Sequence, residues 1–140
     1  MQKGDFEKAA EAFTKAIDEN SGDPVPYINF ANLLSAVGEL DRALKFYDRA
    51  AALDEKAGAA YYGAGNVYVM KERYQEAKDM FEKAHRTGME NSDLYYMLGT
   101  TLMKLEQPKL AMPYLQRAAE LNDMDVEARF QYAMCLANEG

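Results

Sequence analysis

Cysteine, histidine and long apolar runs are scarce in this sequence, and positive charge is outnumbered by negative, with 16 Lys and Arg against 23 Asp and Glu; each closes off a class of function. There is one cysteine, Cys135, among 140 residues. No internal disulfide can form, and a reducing, cytosolic (cytoplasmic) setting is expected. The one histidine, His85, has no Cys or His a helical turn away, so nothing points to a metal site or imidazole catalysis. It lies beside Arg86 in the last turn of a helix, where a surface cap is expected. No apolar run approaches the roughly 18 residues that suggest a membrane span. The opening stretch, "MQKGDFEKAA", has no apolar h-region, so no signal peptide is expected. The net charge of −7 argues against nucleic acid or an anionic membrane as main partner, because both would be repelled. Neutral or basic partners are favoured.

What is present is an ordinary globular balance, 49% hydrophobic and 28% charged, in a chain long enough for one domain with a real core. It is also periodic. "YINFANLLSA" (27–36), "YYGAGNVYVM" (61–70), "YYMLGTTLMK" (95–104) and "RFQYAMCLAN" (129–138) each begin 34 residues after the last. The stretches between them keep the same step, with Ala9/Phe13/Ala16, Ala43/Tyr47/Ala50, Ala77/Phe81/Ala84 and Ala111/Leu115/Ala118 at i, i+4 and i+7. That spacing is one stripe of an α-helix. The first set keeps a helical stripe as well: Tyr27/Phe30/Ala31/Leu34, Tyr61/Ala64/Gly65/Tyr68 and Tyr95/Leu98/Gly99/Leu102. Alternation with period two fails throughout. The chain therefore reads as helix A, turn, helix B, turn, repeated, and is all-α.

The punctuation agrees. Asp23-Pro24 and Ser92 are suited to start A helices. Gly22, Gly58 and Gly88 are expected just after B helices, and Gly4 and Gly38 in the A-to-B turns. Pro108 falls near the first position of a B helix, and Pro113, inside that helix, predicts a local kink. Gly65 shares its column with Ala31, Gly99 and Ala133, which predicts that a neighbouring helix backbone passes close by. The glycines of "YYGAGNVYVM" lie within a helical stripe and no Lys-Ser/Thr follows, so they do not form a phosphate loop.

On these residues the chain resembles the tetratricopeptide repeat (TPR) family, whose signature joins a 34-residue period to the pattern aromatic, Leu-Gly, Tyr, Ala, Phe, Ala, Pro. "YMLG" (96–99) with Ala111, Leu115 and Ala118 matches it, and "Y-x-x-A-G-x-x-Y" (61–68) with Ala77, Phe81 and Ala84 matches better. The signature proline is absent at Glu55, Met89 and Asp123, and Arg129 replaces the aromatic of Tyr27, Tyr61 and Tyr95. The resemblance implies a right-handed superhelical solenoid of antiparallel helix pairs. Residues 1–23 would be helix B of a partial repeat, 24–57, 58–91 and 92–125 full repeats, and 126–140 helix A of a partial repeat. Both ends then fall mid-repeat, without the polar caps such stacks need. A fragment of a longer solenoid, or an assembly that covers the ends, is expected.

In this family the A helices line the concave side. Here they are nearly uncharged: 24–37 has no charged residue, 58–71 only Lys71, and 92–105 only Asp93 and Lys104. Each carries a second stripe: Ile28/Asn32/Ser35, Tyr62/Asn66/Val69, Tyr96/Thr100/Met103 and Phe130/Met134/Ala137. The resemblance implies that these columns, with Lys104, line a peptide groove. Asn can pair with any peptide group through its donor and acceptor, and the aromatics offer rigid apolar surface. The competing reading is that these residues only pack. Members that clamp a chaperone's terminal carboxylate use Lys and Arg on this face. Val25, Ile28, Ala59, Tyr62, Gly63, Asp93 and Met97 occupy those columns here, with Lys104 the main cation, so no clamp is expected.

No chemistry-bearing constellation emerges. Cys135 reads as a small buried hydrophobe. Asp123, Asp125 and Glu127 lack the glycine and terminal glutamate of a calcium loop, and helix-dipole complementarity accounts for them. The expectation is a non-enzymatic protein-binding scaffold without cofactor or metal, which holds a peptide segment of a partner protein against its concave side. The alternatives are a self-stacking structural module, or the targeting arm of an enzyme continuing beyond residue 140.

Overall fold

The computed structural model describes residues 3–121, 130, 132–134 and 137. In chain order its helices are α1 (Lys3–Glu19), α2 (Pro24–Ala36), α3 (Leu40–Leu53), α4 (Gly58–Met70), α5 (Tyr74–Arg86), α6 (Ser92–Lys104) and α7 (Pro108–Leu121). No strand occurs among the described residues. The closest pairings are α2 with α3, α4 with α5 and α6 with α7, and each pair then packs on the next. α2 touches α4 and α4 touches α6, whereas no two of α1, α3, α5 and α7 meet among the described residues. One layer is therefore drawn together and the other splayed apart. That asymmetry makes the layer of α2, α4 and α6 the inner side of a curve.

The core follows the alanine stripes. Ala43, Tyr47 and Ala50, then Ala77, Phe81 and Ala84, then Ala111, Leu115 and Ala118 are all buried. They meet Tyr27, Phe30, Ala31 and Leu34 on α2, and Tyr95, Leu98 and Leu102 on α6. On α4 the buried side shifts from the expected stripe: Ala60, Gly63, Ala64, Gly65 and Val67 are buried, while Tyr61 and Tyr68 are half-buried.

The A-to-B turns repeat as closely as the helices. Glu39 N–H donates to Leu34 O at 2.8 Å, Arg73 N–H to Tyr68 O at 2.8 Å, and Gln107 N–H to Leu102 O at 2.9 Å. This six-to-one bond closes a helix through one left-handed residue. That residue is Gly38 in the first turn (φ 85°) but Glu72 (φ 59°) and Glu106 (φ 60°) in the next two. Only the glycine adopts this region without steric cost.

Several local expectations need correction. The atoms crowding Gly65 belong to a side chain, not a passing backbone: a Cβ there would lie 2.5 Å from Phe81 Cε1. At Gly99 it would lie 2.5 Å from Leu115 Cδ2. Ala133, in the same column, is exposed. Gly4 lies within α1, and Gly58 is the first residue of α4 instead of following α3. The cap of α6 is Asn91, whose Oδ1 accepts from Leu94 N–H at 2.8 Å, so Ser92 is the first helical residue. Asp23 caps α2 as expected, through Val25 N–H at 3.0 Å. α7 continues through Pro113. His85 lies in the last turn of α5 as expected, but not on the surface. It is half-buried, its ring edge-on to Tyr95 at 5.5 Å and Tyr114 at 6.2 Å. Asp123, Asp125, Glu127, Arg129 and Cys135 lie outside the described residues.

Candidate functional site

The inner layer carries a cleft of about 260 Å³ between α2 and α4, lined by Asn32, Ser35, Tyr47, Ala59, Tyr62, Gly63, Asn66 and Met70. None of these side chains is charged. Helical geometry places Asn32 and Ser35 on one wall, at i and i+3, and Tyr62 and Asn66 on the other, at i and i+4. Two clefts of 310 and 370 Å³ lie elsewhere, one at Glu55, Lys56, Tyr61, Lys83, Arg86 and Thr87, the other at the turn holding Glu106 to Leu110.

Buried polar atoms line the inner cleft, as Gln107 Oε1 does the cleft at Glu106 to Leu110. Ser35 Oγ and Asn66 Oδ1 are both buried without a hydrogen-bond partner. Each nevertheless belongs to a side chain that acts on a neighbouring phenol, Ser35 on Tyr47 and Asn66 on Tyr62. The Tyr47 hydroxyl donates to Asn32 Oδ1. Tyr47 belongs to α3, yet it reaches this layer because residue 63 is glycine: a Cβ there would lie 2.3 Å from Tyr47 Cζ. Burial pushes the Tyr47 phenol pKa up, and the Ser35 hydroxyl beside it opposes this in part. Burial also raises the Tyr62 pKa, against the Asn66 side chain and with the help of the Asp93 carboxylate. Both phenols therefore keep their protons well beyond neutral pH.

Of the residues expected to line a groove, Asn32, Ser35, Tyr62 and Asn66 come together in this cleft. Ile28 is half-buried against the core of α1 to α4. Val69, Tyr96 and Met103 are half-buried against the core of α5 to α7. The Thr100 hydroxyl turns back on its own helix, 2.9 Å from Tyr96 O and 3.1 Å from Met97 O. Lys104, Phe130 and Met134 are exposed. Sequence reasoning missed Tyr47, which it assigned to the core stripe. A signal was there: Tyr47 is the one hydroxyl-bearing member of the column Phe13, Tyr47, Phe81, Leu115, and it pairs with a glycine where the next repeat has Met97.

Among the described residues no three His, Cys, Asp or Glu gather as metal ligands, and no helix is long and apolar enough to cross a membrane.

Comparison with known proteins places this geometry in a family. The family model for the tetratricopeptide repeat matches residues 2–140. The TPR repeat-containing protein YrrB of Bacillus subtilis is 76% identical over 41 residues, which are 29% of this chain and 20% of that relative. The matched stretches thus span well under two thirds of the curated relatives' own lengths. The crystal structure of YrrB, described as a TPR protein with an unusual peptide-binding site, superposes with a TM-score of 0.92 at 76% identity, covering 94% of this chain and 68% of that one. MamA superposes with a TM-score of 0.86 at 20% identity, covering 99% and 81%, and shares the fold. The helix pairs, the 34-residue step and these matches agree: the chain belongs to the tetratricopeptide repeat family and folds as its solenoid.

Proposed function

We propose that this chain is a protein-binding module that holds an extended segment of a partner in the inner groove, with the cleft between α2 and α4 as its centre. The observation that carries this reading is an uncharged cleft on the inner layer, in which the exposed side-chain amide of Asn32 faces Tyr62 and Asn66. A side-chain amide in such a cleft can pair with the peptide groups of an extended chain, independent of the partner's side chains. The described peptide-binding site of YrrB supports the same direction. On this reading the groove extends from Ile28 past Tyr62 and Val69 to Tyr96, Thr100, Met103 and Lys104, with Phe130 and Met134 at its far end. The −7 charge and neutral cleft suit a neutral, basic or apolar segment rather than nucleic acid or a membrane.

The test begins with peptides selected on the wild-type chain from a random displayed library. Asn32→Ala combined with Asn66→Ala is expected to weaken the tightest of them by about tenfold or more, since each lost hydrogen bond is worth about 1 kcal/mol. Undiminished affinity in the double variant, with its helical circular dichroism intact, would remove the groove from consideration.

A further inference from the structure

We infer that Tyr47 is a positioning residue for this groove: its hydroxyl, passing over Gly63, holds Asn32 Oδ1 and so presents the Asn32 Nδ2 amine as a fixed donor to a backbone carbonyl of the bound segment. The inference rests on the peptide-groove reading above and names one donor within it.

The argument starts from one column of the repeat. Phe13, Tyr47, Phe81 and Leu115 hold equivalent places on the B helices. Phe81 ends in the apolar interior, with its ring 5.9 Å from that of Tyr62. Tyr47 is 3% exposed, so its ring is core, but its hydroxyl lines the cleft. For a B-helix side chain to arrive there it must cross the A layer. The backbone of α4 permits this at Gly63: a Cβ would lie 2.3, 2.4 and 2.6 Å from Tyr47 Cζ, Cε1 and Oη. The glycine and the tyrosine are therefore two halves of one device, and no larger residue at 63 leaves the hydroxyl in place.

A phenol has one proton to give. Given to Asn32 Oδ1, it fixes which end of the amide is turned inward. Asn32 is exposed, and its Nδ2 makes no hydrogen bond among the described residues. Without the phenol the exposed amide would lose rotational freedom each time it bound, and that ordering would weaken the complex. The next repeat differs. Phe81 has no hydroxyl, and Asn66 keeps its Oδ1 buried and unpaired. Of the two asparagines, one period apart, Asn32 is thus the one whose amine is held toward the groove. An extended backbone carries a matching C=O on every residue.

The experiment uses the library-selected peptide and the full chain. Tyr47→Phe restores the residue type found at 13 and 81, so helicity is expected to survive. Peptide affinity should fall about five- to tenfold. In the Asn32→Ala background the same substitution should change affinity less than twofold, because the amide it positions is gone. A ligand-free readout accompanies these: Tyr47→Phe should shift the Asn32 side-chain amide resonances and leave those of Asn29 in place. Gly63→Ala should reproduce both effects. If Asn32→Ala weakens binding but Tyr47→Phe does not, the positioning role is wrong and the groove reading stands. If the two substitutions add in full, or the Asn32 resonances stay fixed, Tyr47 acts through packing and the inference fails. If neither Asn32→Ala nor Asn66→Ala matters, both readings fall together.

Discussion

Replacing Gly65 probes the packing that sets the helix layers in place. A Cβ at this position would lie 2.5, 2.6 and 2.9 Å from Phe81 Cε1, Cδ1 and Cζ. Carbon atoms rest at about 3.5–4.0 Å, so the ring would have to retreat by about 1 Å. It has nowhere to go: Phe81 is fully buried, with Tyr62 against it. Overpacking of this kind costs about 1–3 kcal/mol, while alanine gains about 1 kcal/mol over glycine inside a helix. Gly65→Ala should therefore lose up to about 2 kcal/mol, and Gly65→Leu, with three more carbons, well over 3 kcal/mol. For a chain of 140 residues each kcal/mol moves Tm by roughly 4 °C. Melts followed by circular dichroism should show Gly65→Ala down by up to about 8 °C and Gly65→Leu without a cooperative transition. Phe81→Leu frees space at the same point, so Gly65→Ala should cost less in that background than alone. The reasoning is refuted if Gly65→Leu melts like the wild type, or if Gly65→Ala and Phe81→Leu simply add.

Thr101 is 2% exposed and its hydroxyl has no partner, where the preceding repeat holds buried Val67. Thr101→Val should raise stability by about 1 kcal/mol in urea denaturation, and a loss would mean the hydroxyl is paired after all. Glu106→Gly and Glu72→Gly relieve left-handed backbone at φ 60° and 59°. Each should gain a few tenths to about 1 kcal/mol despite the added freedom of the unfolded chain, whereas the same exchange at exposed Glu76, inside α5, should destabilise. Lys71, through its hydrogen bond and its charge, holds the exposed Asp41 carboxyl below its ordinary pKa. Its contribution is present above the unfolded carboxylate value of about 3.9 and lost as pH falls through the lower folded value. Asp41→Asn should therefore differ from wild type in neutral, low-salt denaturation and converge with it in acid or high salt, and a difference that persists in strong acid would contradict the assignment.

The helices were legible because residue size repeats in register: Ala43, Ala77 and Ala111 mark one face over three periods, and no strand pattern competes. That the A helices face core or partner was legible from their lack of charge, while their place on the inner side of a curve followed only from the family resemblance. What escaped was reach. A stripe says which face of α3 carries Tyr47, but not that its hydroxyl emerges beyond the neighbouring helix, because that depends on a glycine sixteen positions later. The same limit hid the partner of Gly65, where close approach was readable and its agent, a ring on α5, was not. His85 looked solvated from its sequence neighbours, yet its surroundings are Tyr95 and Tyr114, which meet it only once α5, α6 and α7 have packed. Of the residues proposed to line the groove, the asparagines were identifiable by type. Which of them share a cleft depended on the spacing of two helices.

A photo-crosslinking amino acid placed at Ala59, which is exposed on the rim of the inner cleft, tests the central claim most directly. The control site is Lys83, which lines the separate cleft beside Tyr61. With the library-selected peptide bound, the account predicts a covalent adduct from position 59 and none from position 83. Crosslinking from position 83 alone would put the partner on the other surface and contradict it.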